Sequence, residues 1–150
     1  MKLSKRGEYA LRTLINLGIA AKVERPLVRV VELAAIEVLP IKFLEQVMQQ
    51  LVRAGVLKGV RGPRGGYRLA KERRRITVGE VVRVAESLDE ESESQVPHSD
   101  LGSRIVTPLI ASLQDEVMAR LDAISIEDLC TRARAAGVDC GGANAADFAI

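Results

Sequence analysis

The chain has 150 residues, 47% hydrophobic and only 3% aromatic with no tryptophan, enough for one domain plus an appendage around an aliphatic core. No apolar run approaches the roughly 18 residues of a membrane span. Glu8, Arg12 and Asn16 break up the segment behind the basic start, which excludes a secretory signal, and two cysteines suggest no disulfide framework, so a cytoplasmic location is the expectation.

The net charge of +2 conceals a division. Residues 1–75 hold 17 Lys and Arg against 6 Asp and Glu, whereas residues 76–150 hold 5 against 14. A basic half joined to an acidic half is the pattern of a polyanion-binding domain carrying a different module.

Ser4 is a candidate cap for a first helix running to about Lys22, with Tyr9, Ala10, Leu11, Leu14, Ile15 and Leu17 on its buried side. Lys2, Lys5 and Arg6 stand at its start, where backbone N–H groups and basic side chains meet a phosphate; Lys2, Lys5 and Tyr9 are the candidate DNA contacts here. Residues 24–27 form a connector, and Val28-Arg29 is a candidate short strand. Val30 to Ile36 reads as a short helix offering Val31, Leu33, Ala34 and Ile36 for packing. Glu37-Val38-Leu39 is its turn, without a glycine, and Pro40 suits the first position of the next helix.

That next helix is strongly amphipathic. Phe43, Leu44, Val47, Met48, Leu51 and Val52 follow one face, and Lys42, Glu45, Gln46, Gln49, Gln50 and Arg53 the other. The second set consists of long hydrogen-bonding side chains of the kind that read base edges in a major groove. Gly55 is placed to end the helix. Runs at Val56–Arg61 and Gly66–Leu69 then flank Gly62-Pro63-Arg64-Gly65, a turn in which proline presets φ and glycine permits positive φ. Arg61, Arg64 and Arg68 project from this ribbon. Two helices joined by a three-residue turn and followed by an arginine-bearing hairpin make a winged helix-turn-helix, with double-stranded DNA as partner. The plainer alternative is an ordinary helical hairpin.

Lys71, Arg73, Arg74 and Arg75 form a basic cluster that either touches flanking phosphates or is simply solvated. Thr77 to Glu80 reads as a capping box opening a helix that buries Val78, Val81, Val82 and Val84 or Ala85. Residues 88–102 are acidic, contain serine and proline, and read as a linker or effector loop. Beyond it Ile105, Leu109, Leu113, Val117 and Leu121 recur at i+4, with Ile124 behind them and Val106, Ile110 and Met118 widening the stripe. Pro108 is expected in the first turn of that long helix, with Thr107 as cap. An apolar stripe that the front half cannot cover calls for a second copy, so these residues are the candidate dimerisation surface. Ser125-Ile126-Glu127-Asp128 is a second capping box for a last helix to about Ala136, and the Gly/Ala-rich end reads as frayed. The expected organisation is therefore mainly α with a small β-hairpin wing: 1–87 the winged helix-turn-helix domain, 88–102 the acidic loop, 103–136 the dimerisation helices and 137–150 a flexible tail.

The stretches MKLSKRGEYALR, FLEQVMQQLVRAGVL, VRGPRGGYRLAK, ITVGEVV and LDAISIEDL resemble the Rrf2 family of bacterial winged-helix regulators, over nearly the whole chain to about residue 130. The resemblance implies a homodimer whose long helices cross near their C-terminal ends. It implies that Lys42, Glu45 and Gln46 face the major groove while Arg61 and Gly62 enter the minor groove; Gln49, Pro63, Arg64, Gly65, Gly66 and Tyr67 complete the candidate DNA-binding set. Many members hold an iron–sulfur cluster on three closely spaced cysteines before the long helix. Here residues 88–102 contain no cysteine, Arg104 falls where the last cysteine would be, and Thr107 falls where some members have a histidine. Glu8 matches an acidic ligand position, but one carboxylate without thiolates does not hold a cluster. No cluster, metal or other cofactor is expected.

His98 has Glu90, Glu91, Glu93 and Asp100 nearby, yet the spacing matches no ligand set. Cys130 is expected to be packed and Cys140 to be an exposed thiol open to oxidation. The glycine-rich turn lacks the Lys-Ser/Thr ending of a P-loop, and no nucleophile–base pair is present, which argues against an enzyme. The expected function is a homodimeric, sequence-specific transcriptional regulator, a repressor, answering to an unidentified small-molecule or protein effector. Two rivals remain: an interaction protein regulated by a partner enzyme, and a metal or redox sensor using His98 or Cys130 and Cys140.

Overall fold

The computed structural model describes residues 4–22, 27–87 and 97–138; Lys2, Glu90, Glu91, Glu93, Cys140 and most of the acidic loop and tail lie outside them. The chain order is α1 (Lys5–Lys22), α2 (Val30–Glu37), α3 (Ile41–Arg53), β1 (Leu57–Val60), β2 (Gly66–Leu69), α4 (Val78–Glu86), α5 (Thr107–Asp122) and α6 (Ile126–Ala135). The fold is a winged helix: mainly helical, with one two-stranded antiparallel hairpin among the described residues.

Helix α1 is the central post. Ser4 caps it, its hydroxyl accepting the Gly7 N–H at 3.1 Å, and Ala10, Leu14, Leu17 and Ala20 are buried along it. Leu44, Val47, Met48 and Leu51 of α3 join that core, as do Val81 and Ala85 of α4. The alternative left open on α4 resolves to Ala85, which is 1% exposed, with Val84 only partly covered. Two of the apolar positions expected on α2, Val31 and Ile36, are exposed, and so is Val52 at the end of α3. A helix as short as α2 needs only Leu33 and Ala34 to seat it.

The connection from α2 to α3 is held by a polar knot. Arg12 donates from Nε to the Glu37 carboxylate at 2.9 Å and from Nη2 to the Glu37 carbonyl at 2.6 Å. Buried Asn16 donates to the same carboxylate and to the Arg12 carbonyl, both at 2.8 Å. The turn without a glycine then uses Val38, which takes φ 55° and ψ 52° and donates its N–H to the Ala34 carbonyl.

Helix α6 does not trail behind α5 as a separate appendage. The backbone pairs Thr77 with Ser125, and the flanking bonds Val78 N–H to Ile124 O and Ile126 N–H to Ile76 O are both 2.8 Å. Ile126 and Cys130, i and i+4, are thereby buried against α1. Gly18 permits this approach, since a Cβ there would come 2.8 Å from the Cys130 sulfur. Ser125 and Asp128 form the complete capping box expected of them, whereas at α4 only half is made: Thr77 accepts the Glu80 N–H, and the Glu80 carboxylate pairs instead with Lys71.

The long helix begins earlier than the proline suggests. Ser99 caps a helical run from Asp100, its hydroxyl accepting the Gly102 N–H at 3.0 Å. A π-helical turn over Gly102–Val106 precedes α5, so Thr107 lies inside a helix and does not cap one. Pro108 brings no N–H and a ring that crowds the preceding turn, and a widened turn relieves both.

Candidate nucleic-acid interface

The apolar repeat of α3 drives Leu44, Val47, Met48 and Leu51 inward, which leaves Lys42, Glu45, Gln46 and Gln49 exposed together on the outer side. Phe43, half-buried at the helix start, joins α3 to α1: the Tyr9 ring meets it edge-on at 5.4 Å between centroids, and the Arg6 guanidinium lies 5.1 Å from its centre. Tyr9 is thus partly committed to packing, and Lys5 is exposed on the first residue of α1.

The wing follows at once. Its register pairs Leu57 with Leu69, Lys58 with Arg68, Gly59 with Tyr67 and Val60 with Gly66. Gly65 donates its N–H to the Gly62 carbonyl at 2.9 Å, which closes a turn with Pro63 and Arg64 at its centre. Gly62 has φ 113°, and a Cβ on buried Gly65 would fall 2.1 Å from the Val60 carbonyl oxygen, so the tip folds this tightly only with glycine. Arg61, Gly62, Pro63 and Arg64 are exposed at that tip, while Gly66 and Tyr67 are half-buried toward its base. Val28 extends the ribbon, giving its N–H to Tyr67 O at 3.0 Å and accepting the Tyr67 N–H at 2.8 Å, as expected for a short added strand.

The basic residues divide into two groups. Arg12, Arg73, Arg74, Arg83 and Lys71 are engaged in ion pairs with Glu37, Glu127, Glu72, Asp122 and Glu80. The question left open for the cluster after the wing is answered in part, because Arg73 points inward. Arg29, Arg53, Arg61 and Arg64 are exposed and form no ion pair among the described residues. A cleft of about 560 Å³ opens between the C-terminal half of α3 and the wing, and Arg29, Gln49, Arg53, Val60, Arg61 and Tyr67 line it. The sequence reading missed Arg29 as a site residue. The signal was its place after Val28, whose pairing with the wing sets the next side chain at the wing's root.

The remaining candidates are scattered. Ile105, Leu109, Leu113 and Val117 are all exposed along α5, while Leu121 and Ile124 are half-buried where the chain returns to the body. His98 is exposed. Cys130 is buried as expected, its thiol donating to the Ile15 carbonyl at 3.6 Å. Among the described residues no helix is long and apolar enough to cross a membrane.

A helix with a polar outer face thus stands beside an arginine-tipped ribbon. The comparisons agree with that geometry. Residues 3–132 match the Rrf2 family model, described as an iron-dependent transcriptional regulator. The HTH-type transcriptional regulator IscR of Cereibacter sphaeroides is 40% identical over 86 residues, 57% of this chain and 56% of that protein, so this alignment spans just over half of the relative's length. IscR of Aliivibrio salmonicida is 33% identical over 131 residues, 86% of this chain and 77% of its own. Among solved structures, CymR, the global cysteine regulator of B. subtilis, superposes with a TM-score of 0.68 at 31% identity, covering 88% of this chain and 98% of that one. T. potens IscR gives a TM-score of 0.70 at 27% identity, covering 93% of each. The chain belongs to the Rrf2 family, and its helix and wing are those of a DNA-binding transcriptional regulator.

Proposed function

We propose that this protein is a homodimeric repressor that reads a two-part operator and works without an iron–sulfur cluster. The observation that carries the reading is the shared exposure of Lys42, Glu45, Gln46 and Gln49 beside a wing whose Arg61 and Arg64 make no ion pair among the described residues. The α3 residues enter a major groove, where long amide and charged side chains discriminate base edges. The wing tip enters the adjoining minor groove, and phosphate contacts fix the register. Bound across a promoter in the cytoplasm, the dimer represses by occlusion.

Dimerisation is supported by the exposed stripe Ile105, Leu109, Leu113 and Val117, which needs a second copy to leave water. Two recognition helices then meet two half-sites. An effector, small molecule or protein, shifts regulation to the extent that it binds one spacing of those helices better than another.

The donor set does not fit the cluster that the family resemblance implies. Such clusters are held mainly by thiolates. This chain has two cysteines; one is buried against α1 with its thiol on the Ile15 carbonyl, and the other lies beyond the described residues. Glu8 stands 3.8 Å from Arg12, and Arg104 and Thr107 are exposed on the helix with no thiol to accompany them.

Gel retardation on the protein's own upstream DNA tests the reading. The wild type retards it. Arg61→Ala with Arg64→Ala weakens binding and flattens its salt dependence, by about 0.9 in log–log slope for each phosphate left unneutralised. No retardation at low salt rejects the proposal, and an iron-dependent absorbance in anaerobically purified protein rejects its cluster-free part.

A further inference from the structure

Arg29 and Arg53 stand outside the core and its ion pairs. Both are exposed, and neither forms an ion pair among the described residues. They reach the same cleft from different elements. Arg53 is the last residue of α3, and Arg29 is carried to the wing's root by the two backbone bonds between Val28 and Tyr67. Arg61 arrives from the end of β1. Three cations from three elements therefore line one opening.

Between those cations the lining is partly apolar. Val52 and Val60, 36% and 42% exposed, contribute to the lining. A free inorganic anion would leave these valines in water. A sugar–phosphate chain offers both partners at once, an apolar deoxyribose edge for the valines and a phosphate for the guanidiniums.

Gly59 supplies a further observation. It lines the same cleft from within β1, where glycine weakens a strand. Its φ is not positive, and a Cβ there would sit 3.4 Å from the Tyr67 ring, an ordinary contact. Neither the backbone nor the packing requires glycine, but a bare wall lets another chain lie close against the ribbon.

We propose that the cleft between α3 and the wing seats a run of DNA backbone, with Arg29 and Arg53 clamping its phosphates and Gly59 kept bare to admit it. The inference rests on the DNA-binding reading above and adds residues that hold the duplex between the two base-reading probes. These residues set affinity and register while carrying no sequence preference.

Fluorescence anisotropy with the full chain tests this, using a duplex chosen by selection of bound DNA and an unrelated duplex, each over a range of salt. Arg29→Ala and Arg53→Ala each weaken binding to both duplexes by a similar factor, roughly threefold or more, and lower the salt slope by about 0.9. The ratio of the two affinities stays at its wild-type value. Gly59→Val keeps the thermal midpoint and loses at least roughly tenfold in affinity for both duplexes. Arg134→Ala, exposed on α6, serves as the control and changes nothing. Wild-type slopes in Arg29→Ala and Arg53→Ala, beside a reduced slope in Arg61→Ala, overturn the cleft alone. A wild type that binds neither duplex at low salt overturns the DNA-binding reading and this inference together.

Discussion

Arg73 and Glu127, on opposite sides of α4 and α5 in the chain, close a forked ion pair: Nε donates to Oε2 at 3.0 Å and Nη2 to Oε1 at 3.4 Å. The remaining arm, Nη1, donates to the Gly18 carbonyl at 2.9 Å. One guanidinium thus joins α1, α6 and the turn after the wing. Arg73→Ala is expected to lower stability by about 1.5–3 kcal/mol, the range for hydrogen bonds to charged groups. Arg73→Lys restores only part, because an ammonium has no fork. Urea unfolding measures both. Salt slopes of DNA binding stay unchanged, since this arginine faces inward; a reduced slope would move Arg73 to the interface.

Val38 is the single non-glycine residue with positive φ among the described residues, and it is β-branched. At 87% exposure its side chain gains almost nothing from burial to offset the strain. A left-handed residue with a Cβ costs roughly 1–2 kcal/mol, and glycine gives back part of that in unfolded-state entropy. Val38→Gly is expected to stabilise the protein by about 0.5–1 kcal/mol, seen as a higher urea midpoint at constant m-value. A lower midpoint would refute the assignment of strain to this turn.

Arg83 and Asp122 tie α4 to the end of α5 with two bonds of 2.7 Å. Hydrogen bonding from Arg83 is the main cause that holds the Asp122 carboxyl below its ordinary 3.8; desolvation opposes it and the Arg83 charge adds a smaller push in the same direction. A depressed carboxyl stabilises fully above its unfolded value and ceases to do so as pH falls through its folded value. Asp128 shifts the same way, chiefly through the Ser125 backbone N–H. Asp122→Asn is therefore expected to be less stable than the wild type at neutral pH and to lose that gap in acid, as pH falls through the depressed Asp122 value. Urea midpoints at the two pH values decide, and a gap that persists in acid would make the defect one of packing.

Leu109 and Leu113 are 57% and 44% exposed on α5. Replacing both with Asp takes nothing from the core of a single copy, so each protomer should keep its helical fold by circular dichroism while losing the stabilisation that association adds. Sedimentation is expected to change from dimer to monomer, with DNA affinity falling as the two half-sites lose their linkage. A wild type that sediments as a monomer at micromolar concentration would remove the dimer from the mechanism.

The sequence made α3 and the wing readable because their signals are local. A helical repeat with Leu44, Val47, Met48 and Leu51 on one side, and Gly-Pro-Arg-Gly between two short runs, each carry their own geometry. What could not be read depended on partners distant in the chain. Periodicity marks Ile126 and Cys130 as one face without saying that α1 covers it, and it counts Val52 with the core although the packing leaves it outside. Arg73 looks like its basic neighbours until Glu127 is placed beside it. The turn at Val38 is obscured for another reason: the usual glycine is missing, and the fold imposes the left-handed conformation on a residue that resists it.

The ladder between residues 76–78 and 124–126 returns the chain to its point of departure, so the stretch that leaves after α4 and comes back along α5 is closed at its base by this seam and by the Arg83–Asp122 pair. Lengthening or shortening the span between those helices changes the closure entropy only logarithmically and leaves the seam intact. The stretch between α4 and α5 can therefore change in length or composition while the backbone ladder that seats α6 against α1 stays as it is.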